Sequence, residues 1–431
     1  MFKFEKKYKN LSILIIPITV AIFNILIILF PRDIIDASKN GLNLWFNNVL
    51  PSLLPFIIGT NILAGLGAIS FIGTLLGPIM YPLFGVSGSG SFALVTGMTS
   101  GYPMGAKVVS MLRENDDITQ IDAQRLISFV NNSGPLFILG AVGVGMFKNI
   151  NVGYFLMTSH YISAILTGLI FKYYKRNEDK KIITTKKIFS RALRNMRATR
   201  AKDGKTFGTI LADSVRSSME TIALIGGFII LFCVIVKALE ITGVIGLTEK
   251  MLQNVLIHTN ITGDRYKGLF IGLIEVTNGT KILANESFSS IDVLLCLAII
   301  SFGGFSIHAQ TISFISKVDI KISLYFISKF IHSLLSIVVG LIILPFFDLN
   351  SSHPVFFSYM SYGNSLTEKL GVSSLFFLFS ISFIIFFIIL IIVLNFIHKL
   401  YLNLHRTNCV PTFFKRKSGK RSGRRTAFSF L

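Results

Sequence analysis

The chain has 431 residues, of which 52% are hydrophobic and only 15% charged, with a mean hydropathy of +0.67. This excludes a water-soluble globular protein and indicates an all-α polytopic membrane protein. The formal net charge of +21 would suggest nucleic acid in a soluble chain, but the Lys and Arg gather in blocks beside apolar runs. There they meet anionic lipid headgroups, and no nucleic-acid partner is expected.

Lys3, Lys6, Lys7 and Lys9 precede an apolar run over 11–30 that is too long for an ordinary signal-peptide core and lacks a small-residue cleavage site, so an uncleaved first helix is expected. The next apolar segment, 53–76, carries Gly59, Gly65, Gly67 and Gly73, which permit close helix packing. A third, 92–112, is interrupted by Thr99-Ser100-Gly101-Tyr102-Pro103, and a fourth, 126–147, by Asn131-Asn132-Ser133-Gly134-Pro135. An apolar run over 152–174 completes the first half.

Residues 172–216 hold fourteen Lys or Arg against four acids. Ile188, Phe189, Ala192, Leu193 and Met196 recur there at helical spacing between arginines, which fits a helix on the membrane surface, the alternative being a solvated basic loop. The second half repeats the pattern: apolar runs at 221–239, 269–284 with Glu275-Val276-Thr277-Asn278-Gly279-Thr280 inside it, 293–315 with Ser306-Ile307-His308-Ala309-Gln310, and 324–347. A last helix over 375–397 and a basic tail, expected to be disordered, follow.

A shift of 172 residues lays Phe56-Ile57-Ile58 on Phe228-Ile229-Ile230, Gly168-Leu169-Ile170 on Gly340-Leu341-Ile342, and His160 on His332. A residue or two of slippage brings the stretch ending at Lys107 onto the one ending at Lys281. The near-constant offset indicates an internal repeat. Placing the basic N-terminus, middle linker and tail in the cytoplasm requires a non-spanning, re-entrant piece in each half and makes the repeat inverted, a plan common among secondary transporters. The expected organisation is a first helix and external loop (1–50), a gate-type repeat (51–172), a basic linker (173–216), a second repeat (217–347), a loop and last helix (348–398) and the tail (399–431).

Polar breaks at membrane depth are tolerated where they line protein or water. The candidate substrate site is therefore Thr99, Ser100, Gly101, Pro103, Lys107, Asn131, Asn132, Ser133, Glu275, Thr277, Asn278, Lys281, Ser306, His308 and Gln310. Each has a plainer reading: the lysines as snorkelling side chains, the asparagines as interhelical glue, and His160 and His332 as partners of nearby carbonyls. Glu275 needs a proton, a partner such as Lys281, or a polar cavity. No catalytic motif and no cysteine or metal-ligand spacing is present, so neither an enzyme nor a resident cofactor or metal is expected, while coupling to sodium or protons stays open.

Ser100-Gly101-Tyr102-Pro103-Met104-Gly105-Ala106-Lys107, Asn132-Ser133-Gly134-Pro135-Leu136-Phe137 and Glu275-Val276-Thr277-Asn278-Gly279 resemble the YlbJ family of sporulation integral membrane proteins. Its gate, or nucleoside-recognition, domains are related to concentrative nucleoside transporters. The resemblance implies a multipass protein in the mother-cell, outer forespore membrane that moves dipicolinate towards the spore. Lys107, Lys281 and exposed helix N-termini would suit that small dianion. The alternatives are an ion-coupled nucleoside-type carrier and a non-transporting assembly protein, and a homo-oligomer is compatible with each.

Overall fold

The computed structural model describes residues 2–175, 188–256, 261, 263–285 and 287–349. The expected last helix and basic tail lie outside them. Two bent helix pairs open the chain: α1 (Phe2–Leu29) with α2 (Pro31–Leu44), and α3 (Leu50–Gly65) with α4 (Ala68–Phe84). They turn by 103° and 83°. The apolar segment over 53–76 is therefore two helices, divided where Gly67 takes a left-handed φ of 86°.

The first interrupted stretch folds back as α5 (Gly90–Ser100) and α6 (Met104–Glu114). At 11 residues each, these arms rise only about 16 Å, roughly half of the hydrocarbon core, so the pair is re-entrant. α7 (Gln120–Val130) then stops at the asparagines, and the chain resumes as a wide π-helical stretch, Leu136–Met146, before α8 (Ile150–Phe171).

The linker contains α9 (Ile188–Asp203), which buries Ala192 and leaves Arg194 and Arg197 exposed, as the amphipathic pattern anticipates. It packs on α4 through Asn195–Thr74, Ser70–Thr199 and an edge-on Phe71–Phe189 contact. α10 (Phe207–Ile241) begins inside the segment read as linker and packs against α2 and α3, accepting a hydrogen bond from Trp45 at the Ile222 carbonyl, 2.9 Å.

α11 (Val244–Leu256) leads to the second re-entrant pair, α12 (Asp264–Ile274) and α13 (Val276–Leu283). The broken helix α14 (Ser290–Phe302) and α15 (Gly304–Ile315) and the long helix α16 (Ile322–Ile343) complete the repeat. Hairpin, broken helix and long helix thus recur in order.

The two copies are antiparallel. The start of α8 meets the chain beyond the end of α16, where Asn149 Nδ2 donates to the Leu349 carbonyl at 2.8 Å and Phe155 stacks edge-on with Phe347. The end of α8, Ile165 and Leu169, shares an apolar cluster with Ile322 and Phe326 at the start of α16. Between these ends, equivalent residues touch: the His160 and His332 rings lie 4.8 Å apart. A residue that meets its own counterpart lies on the two-fold relating the copies. Among the described residues, four helices, Ile150–Phe171, Phe207–Ile241, Ser290–Ile315 and Ile322–Phe346, are long and apolar enough to cross a membrane, or up to six spans if each bent pair counts as one.

Glycine lets the first hairpin pack against α7 and the second close on itself. A β-carbon at Gly97 would lie 1.9 Å from the Val130 carbonyl oxygen, and one at Gly279 would lie 2.2 Å from the Gly272 α-carbon. Backbone is the obstacle in each case, so it cannot rotate away. Gly97→Ala and Gly279→Ala are each expected to destabilise by about 1–3 kcal/mol or more, while Gly59→Ala, whose β-carbon meets nothing within 4 Å, leaves the thermal midpoint in detergent unchanged.

At the end of α6, Arg113 Nε and Nη2 donate to the two Asp319 oxygens at 2.8 and 3.1 Å, tying the first hairpin to the turn before α16. The guanidinium holds the Asp319 carboxyl below the usual carboxylate range. A depressed carboxyl stabilises above its unfolded-state pKa and loses that effect as pH falls through the folded value. The melting-temperature advantage of the wild type over Asp319→Asn is therefore small, because the pair is partly exposed, present at neutral pH and absent in acid.

Candidate functional site

A cavity of about 440 Å³ lies where the four breaks meet. The first hairpin contributes Ser100, Gly101 and Tyr102, the α7 break Ser133 and Gly134, the second hairpin Glu275, Val276 and Thr277, and α15 contributes Ile307 and Gln310. Leu44, Val49, Leu53, Phe137, Ile225 and Ile229 supply apolar wall. The size and the mixture of apolar wall with a few convergent polar groups suit a small metabolite.

The breaks touch because their backbones fit one another. Gly101 has φ 85°, and a β-carbon there would come 2.6 Å from the Gly134 nitrogen, so the tip of the first hairpin rests directly on the unwound end of α7. Tyr161 of α8 clamps this contact, its hydroxyl donating to the Met98 and Ser133 carbonyls at 2.8 and 3.0 Å.

Glu275 caps α13. Its carboxylate accepts from the Thr277 and Asn278 amides at 3.1 and 2.7 Å, satisfying two N–H groups that a helix start leaves bare. It is 4% exposed and, among the described residues, supplies the single carboxylate in the cavity wall, to which no Lys or Arg contributes.

Six of the sequence-derived candidates line the cavity: Ser100, Gly101, Ser133, Glu275, Thr277 and Gln310. The others sit elsewhere. Thr99 is exposed and bonds the Val95 carbonyl of its own helix, and Pro103 is buried at the start of α6. Lys107 turns to α10, donating to Thr221 Oγ1 at 2.8 Å and Ser217 Oγ at 3.4 Å, and Lys281 is exposed. Neither lysine reaches the cavity, because each lies more than a helical turn beyond its break, and Glu275 takes its partners from backbone amides instead of Lys281.

Asn278 donates to Cys233 Sγ at 3.7 Å, and Asn132 to the Phe129 carbonyl at 2.7 Å. Ser306 accepts from Gln310 at 3.5 Å. Asn131 and His308 stand behind the wall and converge on Tyr325: Asn131 Nδ2 donates to Thr311 Oγ1 at 2.9 Å and Tyr325 OH at 3.3 Å, and His308 Nδ1 lies 2.9 Å from that hydroxyl.

Several groups escaped the sequence reading. Tyr102 lies in the first polar break but is not among the candidates, and Tyr161, Tyr325 and Lys329 were absorbed into apolar helix. A visible signal existed for the last: Lys329 is a lone cation inside an apolar run, one turn from His332. Among the described residues, no group of three or more His, Cys, Asp or Glu is arranged to hold a metal ion.

The nucleoside-recognition family named Gate matches residues 46–171, the stretch from α3 through α8 that builds half of this cavity. The sporulation integral membrane protein YlbJ of Bacillus subtilis (strain 168) is 36% identical over 311 residues, covering 71% of this chain and 76% of that protein. The chain belongs to the YlbJ family. The Gate match lies in the first half of the chain, and the second half repeats its order of hairpin, broken helix and long helix. No solved structure matches the chain.

The Thr277 and Asn278 amides bond different oxygens of Glu275, so Gln retains an acceptor for one of them and Ala for neither. Glu275→Ala is expected to lower stability by about 1 kcal/mol relative to Glu275→Gln, read from thermal unfolding of the two variants in detergent.

Proposed function

We propose that the chain is a secondary carrier of a small metabolite, dipicolinate in the sporulating cell, working from the mother-cell side across the outer forespore membrane. The observation that carries this reading is the meeting of four chain breaks, two from each antiparallel repeat, around one cavity. In carriers, discontinuous helices from paired repeats bind substrate at the midplane, and motion of one set against the other exposes the site alternately. The sporulation context comes from the YlbJ relative. Nothing in the cavity suggests a chemical step, so the reading is transport rather than catalysis.

The geometry modifies how an anion would be held. With Glu275 in the wall and Lys107 and Lys281 outside it, a lysine clamp does not account for binding. A dianion beside a carboxylate in a low-dielectric site needs accompanying positive charge, so its passage is coupled to protons or another cation. The basic N-terminus, linker and tail place both chain ends and α9 on the cytoplasmic side in this reading. A second reading, a nucleoside-type carrier, is favoured by the Gate match and by the carboxylate and amide in an apolar wall, a set suited to hydroxyl groups on a substrate.

Purified protein in proteoliposomes is expected to accumulate labelled dipicolinate. Glu275→Gln or Gln310→Ala should lower uptake at least about tenfold, the effect of removing one buried polar contact, and Lys107→Ala and Lys281→Ala should retain it. Competition by uridine but not by excess dipicolinate would select the second reading, and indifference of uptake to both cavity variants would remove the site.

A further inference from the structure

Behind the cavity wall, the transport reading leaves one charged group unused. Lys329 lies midway along α16 and is 1% exposed. Its ammonium donates to the main-chain carbonyl of Asn131 at 2.8 Å and lies 3.1 Å from His332 Nδ1. Among the described residues, no carboxylate bonds it. A buried cation without an acidic partner is costly unless its surroundings supply negative potential.

The α7 break supplies that potential. A helix end leaves carbonyls without donors and carries partial negative charge. The residue four places beyond Asn131 is Pro135, which has no N–H, so continuing the helix would not satisfy this carbonyl either. Unwound carbonyls at such breaks are where carriers coordinate cations. Here the opposite repeat delivers a cation on a side chain.

The bonding of the surrounding rings makes His160 and His332 neutral and Lys329 the donor. The Ser133 amide donates to His160 Nε2 at 3.1 Å, so that nitrogen is an acceptor, and the ring proton sits on Nδ1, 2.9 Å from Ser301 Oγ. His332 Nε2 faces the His160 carbonyl at 3.1 Å and must donate, leaving Nδ1 to accept from Lys329. His308 faces the cluster from α15 through Tyr325. The titratable groups around the ammonium are thus His332 on its own helix, His160 of α8, and Tyr325 and His308 one bond further.

We infer that Lys329 is a tethered coupling cation: its ammonium occupies the position at the α7 break that a free metal cation would take, and the ion exchanged there is the proton on Nζ. This deepens the carrier reading and rests on it for the transport step, though not for the occupancy of the break. Ser133, which lines the cavity and bonds His160, connects the cluster to the substrate side. Release of the Lys329 proton weakens its hold on the Asn131 carbonyl and frees the break to move.

The first arm needs no transport. The full chain in detergent is melted in sodium chloride and in choline chloride at equal ionic strength. The wild type is expected to melt alike in both, whereas Lys329→Ala, with the Asn131 carbonyl opened, gains a sodium-dependent rise of a few degrees. A saturable sodium-dependent rise in the wild type, or none in a folded Lys329→Ala, overturns the inference. In the second arm, wild-type dipicolinate uptake is equal in sodium and choline and varies with pH, while Lys329→Gln, which keeps a donor to Asn131 but cannot exchange a proton there, is flat with pH. A wild-type pH profile in Lys329→Gln overturns the inference, and decides it where Lys329→Ala does not fold. Absence of wild-type uptake of any substrate would instead sink the carrier reading, leaving the melting arm to decide what occupies the break.

Discussion

A polypeptide that stops being helical inside lipid strands its own backbone donors and acceptors, and lipid offers no replacement for them. This chain stops at Gly101, Asn131, Glu275 and Gly303. The resulting loose ends are satisfied largely by one another's neighbourhoods. Glu275 caps the amides of α13, His160 takes the Ser133 amide, Tyr161 takes the Met98 and Ser133 carbonyls, and Lys329 takes the Asn131 carbonyl. Four breaks that must avoid lipid collect in one place, and the cavity lies among them.

Some of the bonds cross the repeat boundary. Lys329 of the second copy holds the first copy's break, His160 of the first copy reaches Ser301 of the second, and His332 reaches the His160 carbonyl. The polar interior is thus an interface between two antiparallel copies, with its centre where two equivalent histidines meet. An acidic side chain thus faces the cavity and a basic one stands behind its wall, and movement of one repeat against the other would disturb these bonds.

Glycine sets how closely the backbones approach. The hairpins depend on Gly97 and Gly279 because the partner surface is a carbonyl oxygen in one and another glycine's α-carbon in the other. Gly105 corresponds to Gly279 within the slippage of the alignment, although the surrounding apolar residues differ. Apolar side chains facing lipid or core are interchangeable by volume, whereas a backbone contact admits no side chain at all.

Much of this was legible along the chain. Hydropathy marked the helices, the offset of 172 residues marked the repeat, and the polar interruptions marked where helices end, since each is a local property of composition or order. The bend at Gly67 and the start of α10 inside the basic segment were not legible, because glycine in apolar sequence serves packing as readily as turning. For the site, the sequence by itself determined which stretches would supply it: the four breaks, with Ser100, Ser133, Glu275, Thr277 and Gln310 among their residues. Only the tertiary structure decided which side chains face the cavity. That choice depends on rotation about short helices and on contacts made 100 to 200 residues away, which sends Lys107 to Thr221 and brings Lys329 to Asn131. A one-dimensional pattern records neither.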